Sequence, residues 1–149
     1  MTKVPSQQKL RHRARRLAMQ ALYQWSYNNE PVKELLETML ETQQPETKLD
    51  REYFNVLVIG AIKNHQRIDD ALKPFLDREL SELNPVELAI LRVSAFEMLD
   101  KIEIPYRVVI NEGVELTKEF GADQGHKYVN AVLDKLAQQY RSIETNKQQ

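Results

Sequence analysis

The stretch that most constrains the fold is residues 83 to 102, Leu-Asn-Pro-Val-Glu-Leu-Ala-Ile-Leu-Arg-Val-Ser-Ala-Phe-Glu-Met-Leu-Asp-Lys-Ile. Its beginning is marked several times over. Asn84 is a good cap, and Pro85 suits a first helical position, where no amide needs a partner. Glu87 stands where a capping box would have it reach back to the cap amide, and Leu83 and Leu88 are spaced as a hydrophobic staple. Beyond that, apolar residues leave polar groups a narrow stripe, chiefly Glu87, Ser94, Glu97 and Lys101. A helix apolar nearly all round must be buried. The expected fold class is therefore all-α, with this helix at its centre.

The rest of the chain reads as helices to surround it. Residues 9 to 27 place Leu10, Ala14, Leu17, Ala18, Ala21, Leu22 and Trp25 within roughly 120° of arc. The opposite side carries Lys9, His12, Arg16, Met19, Tyr23 and Tyr27. Asn28 and Asn29 end this helix, and Pro31 opens a second with Val32, Leu35, Leu36, Met39 and Leu40 in register. Residues 43 to 48, with Pro45, read as a loop. Asp50 caps a third helix bearing Tyr53, Phe54, Leu57, Val58, Ala61 and Ile62. A fourth apolar set, Ile68, Leu72, Phe75 and Leu76, is broken by Pro74.

After the central helix, Pro105 opens one with Val109, Ile110, Val114, Thr117 and Phe120 inward, and Gly121 is a natural left-handed stop. Asp123 is the expected cap of a last helix with Val129, Val132, Leu133, Leu136 and Tyr140 as its stripe. No alternation typical of strands occurs. The reading is about seven helices in one domain, residues 9 to 141, between a flexible basic start (1 to 8) and a flexible polar tail (142 to 149).

Several function classes fall away. With no cysteine there is no thiolate metal site or cysteine nucleophile. His12, His65 and His126 are far apart, and none has a second ligand at metal spacing. Asp69 and Asp70 are adjacent and diverge on a helix, which makes solvated surface the expected fate of both. Gly121, Gly125 and Lys127 miss the phosphate-loop spacing by one residue and follow no strand. Neither an enzyme nor a cofactor is expected. No apolar run approaches the roughly 20 residues needed to span a bilayer, and no signal-peptide pattern opens the sequence, so a cytoplasmic location is expected.

Charge is distributed unevenly. The net charge is −1, yet six of 21 basic residues fall within the first 16 positions, ahead of the first acidic residue, Glu30. The remaining 15 basic residues face 22 acidic ones. Cations at a helix amino terminus oppose the macrodipole by about 0.3 to 1 kcal/mol each when exposed. Arg11, Arg13, Arg15 and Arg16 are therefore unexpected on folding grounds, and an incoming phosphate would reverse the sign of that cost. A merely solvated basic end is the alternative. Tyr23 and Tyr27 are open to two readings, an exposed contact surface or packing beneath another helix.

These residues also carry a family likeness. Arg11-His-Arg-Ala-Arg-Arg-Leu-Ala-Met-Gln-Ala-Leu-Tyr-Gln-Trp25 resembles the opening helix of the NusB family of bacterial transcription antitermination factors. Glu87-Leu-Ala-Ile-Leu-Arg92, Ile104-Pro-Tyr-Arg-Val-Val-Ile-Asn-Glu112 and Phe120-Gly-Ala-Asp-Gln-Gly-His-Lys-Tyr-Val-Asn-Ala-Val-Leu-Asp134 resemble its later signatures. The likeness covers roughly residues 8 to 141. It implies two small helical bundles packed into one domain, and a non-enzymatic protein that binds boxA RNA of ribosomal-RNA leader transcripts. It also implies NusE, a small-subunit ribosomal protein, as partner within an RNA polymerase antitermination complex, and a monomer or a homodimer. Transferred by position, the RNA-binding residues would be Lys9, Arg11, His12, Arg13, Arg15 and Arg16, with Lys127 and Tyr128 extending the surface. Tyr23 and Glu87 would face NusE, with Glu82 nearby. An RNA-binding domain of a ribosomal-RNA cytosine methyltransferase and a protein-only helical scaffold are the competing readings.

Overall fold

The computed structural model describes residues 4–146, and every regular element among them is helical. In order these are α1 (Gln7–Asn28), α2 (Val32–Glu41), α3 (Arg51–Lys63), α4 (His65–Leu72), α5 (Pro85–Asp100), α6 (Tyr106–Phe120), α7 (Gly125–Tyr140) and α8 (Ser142–Asn146). Two short 3-10 turns, Lys73–Phe75 and Leu80–Glu82, join α4 to α5. Helix α5 packs against α1 and α3 on one flank and α6 and α7 on the other, with α4 also against it. Ile90, Leu91, Ala95 and Met98 are buried at its centre. No helix is long and apolar enough to cross a membrane.

The local signals for α5 act as the residue chemistry demands, with one exception. Asn84 Oδ1 accepts from the amides of Val86 and Glu87 at 2.9 and 3.3 Å. Glu87 does not close the capping box; its carboxylate is drawn to the loop between α6 and α7. Most of the narrow polar stripe is also covered: Glu87, Ser94 and Glu97 are all buried. Each meets a neighbouring helix or loop that satisfies or covers it, so α5 has almost no solvent face. Phe96 lies so close to α3 that a Cβ on Gly60 would stand 2.2 Å from its ring. A glycine in α3 is thus what lets that aromatic ring seat.

Several boundaries differ from expectation. Ser6 Oγ accepts from the Lys9 amide at 3.2 Å and starts α1 at Gln7, inside the segment expected to be flexible; residues 1–3 lie outside the described residues. Gly121 is extended rather than left-handed, with φ −85° and ψ 179°. The positive φ falls on Gln124 instead, at 67°, and Asp123 does not cap α7. Met19, placed by periodicity on the outer side of α1, is buried, with Val86 of α5 and Phe120 at the end of α6 beside it. Phe120, expected inward, is partly exposed at the end of α6. Asp69 is buried in a two-pronged pair with Arg92 of α5, at 3.0 and 2.9 Å, whereas Asp70 is exposed as expected.

The eighth helix comes from the segment expected to be a flexible tail. Arg141 is buried and donates to the carbonyls of Met98 and Ile104 at 2.8 and 2.9 Å, and to those of Glu97 and Lys101 at 3.2 and 2.9 Å. Helix ends leave carbonyls without intrahelical partners, and this guanidinium meets one of them at Met98 while also binding carbonyls on either side of the end of α5. Glu144 then pairs with Arg141 at 2.7 Å and accepts from the Tyr106 amide at 2.8 Å. Residues 142–146 are thereby held as α8; residues 147–149 lie outside the described residues.

Candidate functional site

The basic start of α1 divides into two populations. Arg15 is only 3% exposed. Its Nε donates to both carboxylate oxygens of Glu97 at 2.9 and 3.1 Å, and its Nη2 donates to Oε2 at 2.9 Å. Glu112 of α6 lies 3.8 Å away, and the Tyr53 hydroxyl of α3 donates to the same Glu97 oxygen. Burial alone would lower the Arg15 pKa, but Glu97 overrides it and raises it. Burial, then the Glu97 carboxylate, pushes the Tyr53 phenol well up. Arg15 is consequently a structural cation that ties α1, α3, α5 and α6 together. Its expected place on an RNA surface is corrected, since a guanidinium held on three sides and shielded from solvent has no face to offer.

The others remain at the surface. Lys9 is exposed, while Arg11, His12, Arg13 and Arg16 are half-exposed. The Arg11 guanidinium lies over the Tyr53 ring at 4.3 Å, with Asp50 at 3.7 Å. Arg13 donates to the Lys48 carbonyl at 2.9 Å. On the α6 side, His12 meets Glu112, and Arg16 donates to Glu119 at 3.0 Å while lying 6.0 Å over the Phe120 ring. The Nε groups of Arg11 and Arg16 are shielded from water and have no hydrogen-bond partner. Buried polar groups without partners are uncommon and call for an explanation.

Below this turn, α1 presents Tyr23 and Tyr27, both exposed, with rings edge-to-face at 5.2 Å. Met19, Gln20, Tyr23, Val86 and Phe120 line a shallow apolar depression between α1, α5 and the end of α6. Of the two readings of the tyrosines, this placement is the exposed one: among the described residues no helix covers them. Glu82 is exposed on the 3-10 turn that leads into α5. Glu87 is not part of that exposed surface. At 7% exposure it points inward, where its Oε2 accepts from the Ala122 amide at 3.0 Å. A Cβ at position 125 would lie 2.6 Å from the same oxygen. From α5, Glu87 thus places a negative charge near the start of α7, where Asp123 was the expected cap. The expectation that Glu87 projects toward a partner is corrected.

Lys127 is exposed in the first turn of α7, and Tyr128 is half-buried beside it. The Tyr128 hydroxyl accepts from the Asp77 amide at 3.3 Å, and the Arg78 guanidinium lies over its ring at 4.9 Å. Sequence reasoning passed over Arg78, and no spacing rule would have brought it to Tyr128, fifty positions on. Among the described residues, no group of three acidic or histidine side chains is placed to hold a metal ion.

Comparisons with known proteins identify the family and the fold. The NusB family model matches residues 12–138. Transcription antitermination protein NusB of Ralstonia pickettii is 51% identical over 135 residues, 90% of this chain and 86% of that protein. A crystal form of T. maritima NusB superposes with a TM-score of 0.78 at 30% identity, covering 93% of this chain and 94% of the other. A structure of antitermination factors NusB and NusE in complex with double-stranded RNA superposes equally well, at 0.78 and 29% identity, with 89% and 98% coverage. With a family model spanning α1 to α7 and half of all aligned residues shared with a curated relative, this chain belongs to the NusB family.

Proposed function

We propose that this chain is a non-enzymatic, cytoplasmic transcription antitermination factor that binds boxA RNA of ribosomal-RNA leader transcripts jointly with NusE, within an RNA polymerase antitermination complex. The observation that carries the reading is the cationic turn at the start of α1, where Lys9 is exposed and Arg11, Arg13 and Arg16 are half-exposed on one stretch of helix. Their accessible guanidinium edges and the Lys9 ammonium offer charge-assisted donors to an RNA phosphate, and His12 stands among them. Lys127 and Tyr128 continue the surface from α7. NusE is assigned to the apolar depression floored by Met19, with Tyr23 as an aromatic anchor of the kind that dominates interfaces, and with Glu82 at its rim.

The test is fluorescence anisotropy with boxA RNA and an unrelated RNA of equal length, with and without NusE, over a salt series. Each phosphate contact to a single strand contributes about 0.7 to the slope of log affinity against log salt. Wild type is expected to show a slope near −2 or steeper. The Arg11→Ala/Arg13→Ala double variant should flatten that slope by about 1.4, with thermal stability retained. Tyr23→Asp should weaken NusE binding at least tenfold, or about 1.4 kcal/mol, and lower the joint affinity for boxA while leaving weak RNA binding by the free protein intact. An unchanged slope in the double variant overturns the RNA surface, and normal NusE binding by folded Tyr23→Asp protein overturns the partner surface.

A further inference from the structure

Arg78 is exposed on the turn between α4 and α5, yet it is not a free cation. Its Nε donates to Asp77 Oδ1 at 2.7 Å and its Nη2 to Oδ2 at 3.1 Å, a two-pronged pair that fixes the guanidinium plane and neutralises it. The same guanidinium lies over the Tyr128 ring, and the Tyr128 hydroxyl is anchored by the Asp77 amide. Three contacts therefore hold one flat group, and they join the turn to the first turn of α7. With the side chain 45% exposed, the guanidinium side turned away from Tyr128 faces water.

We infer that Arg78, held over Tyr128 and locked by Asp77, is a stacking platform for one unpaired base of the bound RNA. The inference rests on the RNA-binding reading above and adds to it a residue and a mode of contact. Two physical arguments favour a base over a phosphate. The positive charge is already answered by a carboxylate at hydrogen-bond distance, so a phosphate would have to compete with it. A guanidinium plane, in contrast, keeps its capacity to stack when its edge is engaged, and RNA-binding proteins stack splayed-out bases on aromatic rings and arginine planes alike. Position fits too. Arg16 overlies Phe120, the following loop is fastened to Glu87, and α7 then presents Lys127 and Tyr128, so the platform continues the surface that begins on α1.

The test uses the full chain with single-stranded boxA RNA, its fully paired duplex, and a set of single strands carrying 2-aminopurine at successive positions. Arg78→Ala and Arg78→Lys should each weaken single-strand binding about five- to twentyfold, within the range for one stacked base, without changing the salt slope. Lys127→Ala should instead flatten the slope by about 0.7. Wild type should change the fluorescence of 2-aminopurine at one position, and both Arg78 variants should abolish that change. Duplex affinity should not respond to Arg78, since a paired base cannot turn out onto the platform. Circular dichroism melts confirm that the variants fold, as expected for an exposed side chain. Unchanged single-strand affinity in Arg78→Ala overturns the inference while leaving the RNA-binding reading intact. A loss accompanied by a flattened slope makes Arg78 a phosphate contact and also overturns it. Wild-type protein with no affinity for any of these RNAs overturns both readings.

Discussion

Cutting the Arg15–Glu97 pair should unfold the protein more readily than it weakens RNA binding. Both side chains are almost completely buried, at 4% and 1%. Opposite charges about 4 Å apart attract by about 4 kcal/mol at an effective dielectric of 20, and desolvation offsets much of that. What removal of one partner leaves behind is the larger matter. In Arg15→Met, Glu97 keeps the Tyr53 hydroxyl and loses all three guanidinium bonds, with Glu112 a second carboxylate nearby. An uncompensated buried charge costs about 3 to 5 kcal/mol. For a domain of this size that corresponds to a fall in Tm of roughly 6 to 20 °C. Arg15→Met/Glu97→Met should recover a large part of the loss, because the stranded carboxylate is gone. Urea denaturation of wild type, both single variants and the double variant closes the cycle, and anisotropy on the folded fraction reads RNA binding. Single-variant stability within about 0.5 kcal/mol of wild type, together with a flattened salt slope, would refute the reasoning and return Arg15 to the RNA surface.

The other predictions concern the core, the end of the chain and the loop before α7. Leu91→Ala and Phe96→Ala should each lower stability by about 2 to 5 kcal/mol through cavity formation in the central helix, as measured by urea melts. Gly125→Ala should be destabilising because its Cβ meets the buried Glu87 carboxylate, and differential scanning calorimetry should show partial rescue when Glu87→Ala is added. For Glu144, burial alone would raise the pKa, but the Tyr106 amide and Arg141 outweigh it and hold the carboxyl below its ordinary 4.5. A depressed carboxyl contributes stability that is present above the unfolded value and lost as pH falls through the folded one. Stability measured from pH 6 down to 3 should therefore fall below about pH 4.5, and the wild-type minus Glu144→Gln difference should shrink over that interval.

Most of the fold was legible because helix periodicity and capping act locally. Asn84, Pro85, Asp50 and Pro31 start helices where their chemistry says they should. What local rules missed is the work of groups distant in sequence. Glu87, Ser94 and Glu97 read as a narrow polar stripe because periodicity counts polar residues and cannot see which neighbouring element each one meets. Arg15 looked like its basic neighbours because its one distinguishing feature, a carboxylate 82 residues away, is tertiary. The tail from Ser142 looked disordered because its polar composition hides Glu144, which binds Arg141 and the Tyr106 amide. The candidate site was half legible on the same logic. The exposed cations and Tyr23 could be placed by angle around α1, whereas Arg78 and the inward turn of Glu87 required the fold.

The burial of α5 is also what gives the surface features their fixed relation. One end of it holds Glu87, which binds the Ala122 amide and stands against Gly125, so the loop that delivers Lys127 and Tyr128 is fastened to the core. Near its other end, Glu97 binds Arg15 in the middle of the cationic turn, so the registry of α1 against α5 is set by a two-pronged pair that tolerates little sliding. Val86, next to Glu87, contributes a wall of the apolar depression beside Tyr23. The cationic turn, the depression and the start of α7 are therefore referenced to a single buried helix rather than to flexible loops. Preorganisation of this kind lowers the ordering cost of binding a flexible strand. The same buried pair specifies which side chain of α1 lies against Glu97 of α5.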